Sequence, residues 1–410
     1  MFLPNQIPLS ILIVLSIFIT ITFRNFLKIE IWKIMLLGAI LNILTNQISI
    51  SDAFHAIDFE VLIFLASMFI FGFALEESGL LFSYTGRLLN GRKNIVVLFL
   101  LFSIISAIGS ALFLNDTIAI IGTSIALLIA HQLKISSRIL LYLLAFSVTI
   151  GSVFSPIGNP QNFLIAKAMK NPFSEFFFSL TIPTLINLII TVFLVYKIYE
   201  KELPHKKVLV DIPLNIFDHE LARACKVSIF FLLVTVLGKL IMHFEFPLVF
   251  IGLIIVLPIF LMTKRRRIAL VKEIDWHTLL FFASMFIVME SAWKSNFFQD
   301  IISKNNMNIH SLENIFLISI VGSQLMSNVP LVMLYLPLLI GENSIDKLIA
   351  LAAASTIAGN LSVLGAASNV IIIQQAEKKK EFSFNALEFF KIGIIVTILN
   401  SIIYMIFLMY

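Results

Sequence analysis

Apolar stretches long enough to cross a bilayer follow one another along the chain, with short polar clusters between them. A helix needs about 20 mostly apolar residues to cross a hydrocarbon core of about 30 Å. On this pattern the sequence predicts spans at 7–23, 31–47, 61–79, 139–169, 175–198, 227–243, 247–262, 277–293, 347–376 and 385–409. Two further apolar segments, about 95–131 and 312–341, each carry a polar cluster in the middle and read as two short arms of a hairpin. The expected fold is an all-α polytopic membrane protein of about 10 transmembrane helices plus two re-entrant hairpins.

Composition agrees with this reading. The 410 residues are 59% apolar and 13% charged, with a mean hydropathy of +1.01. A soluble domain of this size has no interior large enough for so much apolar surface. The longest polar stretch, about 200–226, reads as a cytoplasmic linker between a first membrane repeat (1–199) and a second (227–410). Ile7 to Phe23 reads as a first span, because a basic leader and a small-residue cleavage pattern are missing. The single cysteine, Cys225, excludes an internal disulfide and any multi-cysteine metal site.

Charge gives an orientation. With the N-terminus outside, 23 of the 29 lysines and arginines fall in cytoplasmic loops, including Arg24 and the run Lys264 to Arg267. The exceptions are Lys167, Lys170, Lys239, Lys294, Lys304 and Lys347. This matches the positive-inside rule and puts both termini outside a cell membrane, provided that each hairpin enters and leaves from one side. The net charge of +5 then marks topology and gives no reason to expect nucleic acid.

The chain also repeats itself. "DFEVLIFLASMFIFG" (58–72) matches "DWHTLLFFASMFIVM" (275–289), and "FLNDTIAII" (113–121) aligns with "MSNVPLVML" (326–334). "TIGSVFSPIGNPQNFLI" (149–165) matches "TIAGNLSVLGAASNVII" (356–372), with Thr149, Ser155, Gly158 and Asn162 against Thr356, Ser362, Gly365 and Asn369. The charge bias puts Asp58 outside and Asp275 inside, so the halves are expected to be inverted copies. Inverted repeats with interrupted helices are the architecture of many secondary transporters.

Polar residues inside the apolar segments nominate the site. Pro156, Gly158 and Pro160 cannot continue a regular helix, and "GNLSVLGAASN" (359–369) is the matching break. Backbone groups freed at the bilayer midplane need a cavity or an ion, since lipid leaves them unpaired at several kcal/mol each. Ser155, Gly158, Asn159, Gln161 and Asn162 in the first break, with Asn360, Ser362, Gly365, Ser368 and Asn369 in the second, are therefore candidate binding residues. So are the hairpin tips, Asn115, Asp116 and Thr117 in one and Ser327 and Asn328 in the other. The amide oxygens of Asn115, Asn159, Asn328 and Asn360 suit Na⁺, and helix starts suit an anion. Asp116, the one carboxylate at a broken element, is the candidate coupling residue, as a Na⁺ ligand or a proton carrier. The plainer alternative is that Asp116 only caps the second arm of its hairpin. Lys239 reads as a lysine snorkelling to the interface.

At "NDTIAIIGTSIAL", "SPIGNPQNFLIA" and "AGNLSVLGAASNVIIIQQAEKK" the chain resembles the ion transporter superfamily, which includes arsenite permeases, NhaD-type antiporters, P-protein relatives and divalent anion/Na⁺ symporters. The "GNPQN" form is similar to that of anion permeases of undefined substrate. The resemblance covers nearly the whole chain and implies two inverted repeats, each with a hairpin and a broken helix, usually in a homodimer. In the dicarboxylate symporters the tips carry Ser-Asn-Thr; here they read Asn115, Asp116, Thr117 and Ser327, Asn328, Val329. The added negative charge of Asp116 favours a neutral or cationic substrate, or a proton at Asp116, over a di- or tricarboxylate.

The expected function is a secondary active permease for a small anion or oxyanion, coupled to Na⁺ or H⁺. Arsenite/antimonite efflux and Na⁺/H⁺ antiport are the alternatives, and a channel is further off. An intramembrane enzyme is disfavoured: HExxH, a Gly-x-Ser-Gly with a membrane histidine and a second deep aspartate are all missing. The expected partners are the bilayer, a small-ion substrate and a second copy of the chain, with no cofactor beyond Na⁺ as coupling ion.

Overall fold

In lipid each backbone N–H and C=O must find its partner within the protein, which drives apolar runs into helices. The computed structural model describes residues 7–22, 28–204, 206–242, 244, 246–263, 267–304, 308–340, 345–381 and 385–409. Arg24 and the run Lys264 to Arg266 lie outside the described residues.

The first half builds α1 (Leu9–Thr22), α2 (Ile31–Leu44), α3 (Ile50–Ala56), α4 (Phe59–Ser78), α5 (Leu80–Leu89), α6 (Ile95–Phe113), α7 (Asn115–Leu133), α8 (Ser137–Ser152), α9 (Pro160–Lys167) and α10 (Pro172–Tyr199). The second builds α11 (His219–Ile241), α12 (Val249–Met262), α13 (Arg267–Lys272), α14 (Trp276–Lys294), α15 (Phe297–Lys304), α16 (Leu312–Met326), α17 (Asn328–Ile340), α18 (Ile345–Ile357), α19 (Ala367–Lys378) and α20 (Ala386–Met409). Long and short helices thus recur in the same order among the described residues. Local chemistry recurs too. Asp58 caps α4 by accepting from the backbone N–H of Glu60 and Val61, and Asp275 caps α14 by accepting from that of Thr278.

The halves pack crosswise. α2 lies against α14 and α12 against α4, while α19 lies on α7 and α9 on α17. The reversals recur as well. Only Leu114 separates α6 from α7, with φ +67°, and only Ser327 separates α16 from α17, with φ +72°. Both are non-glycine residues in a region that disfavours a Cβ.

The arms of the first hairpin are not short. Each has 19 residues, about 28 Å of helix, and is by itself long and apolar enough to span. They still leave from and return to one end of the bundle, because both bases dock on the same linker segment. Asn90 exchanges hydrogen bonds with the backbone of Ile212 (2.7 and 3.0 Å), and Gln132 with that of Asp211 (2.6 and 2.9 Å). The linker also supplies the one departure from an all-helical fold among the described residues. Strand β2 (Val208–Val210) pairs antiparallel with β1 (Gly91–Lys93), setting Gly91 opposite Val210.

Ion pairs sort the loops into two ends. At one end Lys167 meets Asp58 (2.5 Å) and Glu60 (3.1 Å), and Lys294 meets Asp52 (2.9 Å). At the other, His131 meets Glu381, Arg138 meets Glu202 and Glu388, and Trp32 stacks on His277. Lys239 does not reach for water: it is buried and donates to the carbonyls of Phe244 and Phe246 (3.1 and 2.8 Å), its ammonium 4.0 Å from the Phe246 ring centre.

Candidate functional site

The first break separates α8 from α9. When a helix stops, its last carbonyls lose their N–H partners. Here a side chain replaces them: Asn162 Nδ2 donates to the carbonyls of Ser152 (3.0 Å), Val153 (3.2 Å) and Ser155 (3.1 Å). Asn159 Oδ1 accepts from the Asn162 backbone N–H at 2.8 Å and caps α9, with Pro160 at the first helical position. Asn159 Nδ2 reaches Ser152 Oγ and, across the repeats, Thr356 Oγ1 (3.0 and 3.2 Å). Thr356 Oγ1 in turn donates to Asn162 Oδ1 at 3.1 Å. Ser155 Oγ accepts from Ile157 N–H, and Gln161 is buried on α9. A Cβ on Gly158 would sit 2.6 Å from the Ser152 carbonyl, so only glycine lets the chain fold back this closely. The Gly158 carbonyl receives the backbone N–H of Asn115 (3.0 Å), which fixes the first hairpin tip at the level of the break.

The second break is built alike and finished differently. Asn369 Nδ2 donates to the carbonyls of Gly359 (2.8 Å) and Ser362 (3.2 Å). Ser362 Oγ donates to Gln324 Oε1, and Gln324 Nε2 to the Ala358 carbonyl (2.7 and 2.8 Å), tying arm α16 to the break. A Cβ on Gly365 would lie 3.0 Å from the Ala358 carbonyl. Asn360 Nδ2 donates to Asn400 Oδ1 (3.3 Å). The counterparts of the Thr356–Asn162 bond, however, are open: Thr149 Oγ1 and Asn369 Oδ1 are buried without a partner, as are Ser368 Oγ and Asn360 Oδ1.

The tips add two more such oxygens, Asp116 Oδ1 and Asn328 Oδ1. Asp116 sits in the first turn of α7, yet among the described residues no backbone N–H donates to its side chain; Asn115 Oδ1 takes the Asp116 N–H instead (3.0 Å). The capping alternative for Asp116 therefore has no bond behind it. Thr117 packs into Gly72 of α4, where a Cβ would stand 2.6 Å from its hydroxyl. Ser327 is exposed at its reversal. Helices α7 and α19, which lie side by side, both start without a side-chain cap. Their N-termini carry partial positive charge, although at α7 the first two N–H groups are taken by the Gly158 carbonyl and by Asn115 Oδ1.

Residues 11–346, most of the chain, match the citrate transporter family. The chain belongs to the citrate transporter family. Within the wider ion transporter superfamily, it is 26% identical over 392 residues to a 46 kDa membrane protein of Mycobacterium leprae, covering 89% of this chain and 90% of that one. It is 34% identical over 172 residues to a silicon efflux transporter of Oryza sativa, covering 41% of this chain and 35% of that protein. Among solved structures, the YdaH transporter of Alcanivorax borkumensis superposes with a TM-score of 0.55 at 13% identity over 83% of each chain, a likeness of fold. The family, the silicon efflux protein and YdaH are transporters, not enzymes.

In this citrate transporter family member the structure joins the first hairpin tip to the first break through Asn115 and Gly158 and the first break to the end of α18 through Asn159, Asn162 and Thr356, while Ser362 of the second break bonds Gln324 of α16. Among the described residues no hydrogen bond joins Ser327 or Asn328 to a break, although α17 packs on α9. Sequence reasoning missed Gln324 as a site residue, and Asn187 and Asn400, which are fully buried and joined at 2.9 Å. The available signal was a lone amide inside an apolar run, as in "TLINLII" and "TILNSII".

Proposed function

We propose that the protein is a secondary active permease for a small oxyanion, driven by Na⁺ or H⁺ through alternating access of two inverted repeats. One observation carries this reading. Helices α7 and α19 lie side by side and both start without a side-chain cap, with the partnerless Asp116 carboxylate in the first turn of one and partnerless amide and hydroxyl oxygens at the break and first turn of the other. Helix starts attract an anion, while acceptor oxygens without donors attract a cation or a proton. Asp116 and an anionic substrate compete for the same positive field. A Na⁺ or proton on Asp116 removes that competition, which makes cation binding the condition for substrate binding. The crosswise helix order supports inverted repeats. The ion pairs group the loops as the charge bias does, which supports extracytoplasmic termini.

A second reading draws on the same carboxylate. A neutral hydroxide substrate, such as arsenous acid, needs no anion seat and donates hydrogen bonds to Asp116, with proton exchange driving efflux. The test is uptake into proteoliposomes under imposed Na⁺ or pH gradients, with arsenite, sulfate, phosphate, succinate and citrate, for wild type and Asp116→Asn. Gradient-driven uptake of one compound, lost in the variant, is the expected result. Uptake that persists in Asp116→Asn moves coupling to the breaks. Equal uptake with and without gradients refutes secondary active transport.

A further inference from the structure

The segment between the repeats is strapped to the first hairpin. Ile212 and Asp211 bind Asn90 and Gln132 through their backbone, and Phe217 N–H donates to the Ser78 carbonyl at 3.0 Å. Residues 208–217 therefore run back along α5, from the β1–β2 ribbon to the end of α4. Strap, ribbon and α5 together bridge the ends of four helices long and apolar enough to span. Of these, α4 ends at Ser78, α6 starts at Ile95, α7 ends at Leu133 and α11 starts at His219. Where membrane-length helices end, the headgroup layer begins.

The outer surface of this bridge carries bare apolar side chains. Along β2, Val208 and Val210 are buried while Leu209 is 66% exposed, as alternation in a strand requires. Leu214 and Phe217 lie over Gly86 and Gly79, where a Cβ would stand 2.7 Å from each side chain, yet they remain 47% and 68% exposed. Tyr84 and Leu88, one turn apart on α5, are exposed beside Arg87.

The same surface is basic. Residues 79–93 and 203–217 contain five lysines and arginines and one carboxylate, Asp211. Arg92 stands directly opposite Leu209 in the ribbon, so the two share its outer face. Lys207 precedes Leu209 by two residues, the spacing of one face in extended chain. Lys93 donates to the Asn90 carbonyl at 2.7 Å. Arg87, Arg92, Lys206 and Lys207 are exposed, and none forms an ion pair among the described residues. Water leaves the apolar set unburied, and a neutral lipid leaves these cations without counter-charge. An anionic lipid meets both needs, its acyl chains against the leucine and phenylalanine and its phosphate against the basic groups.

We infer that the outer face of the ribbon and strap, at Arg92, Lys207, Leu209 and Phe217, docks on an anionic phospholipid of the adjoining leaflet. Asn90 and Gln132 hang the bases of both hairpin arms on this strap. The lipid thus fixes the base of the first hairpin in the membrane plane, whatever substrate the tips receive.

The test places a fluorophore on the ribbon. Leu209→Cys is labelled with an environment-sensitive dye; Cys225, the one native cysteine, is buried and escapes the label. The full-length protein is reconstituted into vesicles of equal parts phosphatidylcholine and phosphatidylglycerol, with bromine on the acyl chains of one lipid or the other as quencher. Brominated phosphatidylglycerol is expected to quench about twofold more strongly than brominated phosphatidylcholine, or better. A reporter at Ile189, 55% exposed midway along α10, is expected to be quenched equally by both. Adding Arg92→Gln and Lys207→Gln is expected to equalise quenching at position 209, and raising NaCl to shrink the excess without changing the protein. Equal quenching by both lipids in the parent overturns the inference, as bulk hydrocarbon then covers the patch. Absence of quenching by either overturns it too, in favour of water or a second copy of the chain.

Discussion

Asn162 and Asn369 occupy equivalent places in the two repeats, and the structure predicts unequal costs for losing them. Asn162→Ala strips the side-chain partner from the carbonyls of Ser152, Val153 and Ser155 and the acceptor from the Thr356 hydroxyl. One amide has two hydrogens, so it satisfies two of the three carbonyls at a time. Counting two carbonyls and one hydroxyl at about 1–3 kcal/mol each for a buried group left unpaired, and allowing for some relaxation, the loss is about 3–5 kcal/mol. Asn369→Ala also frees two carbonyls, but it removes an amide oxygen that is already unpaired. That relief offsets part of the damage, leaving about 1–2 kcal/mol. Reversible unfolding in mixed micelles, with folding and unfolding rates measured at several denaturant levels, gives both values. The double variant Asn162→Ala/Thr356→Val is expected to cost less than the sum of its singles, because they share one bond. An Asn369→Ala loss equal to or above that of Asn162→Ala refutes the reasoning.

Two further outcomes follow from backbone geometry. Ser327→Gly is expected to stabilise the fold by about 1 kcal/mol, since it relieves a positive φ at an exposed residue, whereas Leu114→Gly, at the same kind of reversal, is expected to lower stability because Leu114 is 1% exposed and its buried side chain outweighs the strain; unfolding midpoints of opposite sign check this. Gly151→Ala places a Cβ 2.2 Å from the Ala107 Cα of α6, a backbone atom that cannot turn aside, so α6 and α8 must part; a loss of 2 kcal/mol or more and a reduced monodisperse fraction in size-exclusion chromatography are expected.

The breaks were legible because proline and glycine interrupt apolar runs: Pro156, Gly158 and Pro160 mark the gap between α8 and α9, and Gly359 and Gly365 the gap between α18 and α19. The tips were legible for a related reason, since Asn115 and Asn328 are amides in the middle of otherwise apolar segments. What joins these elements was not. Thr356 bonds Asn159 and Asn162 from nearly 200 residues away, and Gln324 bonds the second break from another helix. A single polar residue in a helix is silent about its partner until packing brings the helices together. The linker illustrates the same limit: "KVLV" (207–210) is too short to announce a strand, and its pairing with Gly91–Lys93 exists only because the hairpin base is there to receive it.

The crosswise packing has a consequence for how the chain is made. Helix α2 rests on α14, which leaves the ribosome more than 230 residues later. At 5–20 residues per second, that is roughly 10–50 s of waiting. Throughout it Asn42, which ends fully buried with Ser291 Oγ donating to it at 2.8 Å, is without that partner. Asn162 likewise waits for Thr356 and Asn187 for Asn400. The newborn first half is thus a set of inserted helices bearing unmet polar groups in lipid, and its native shape is a template that only the second half can complete.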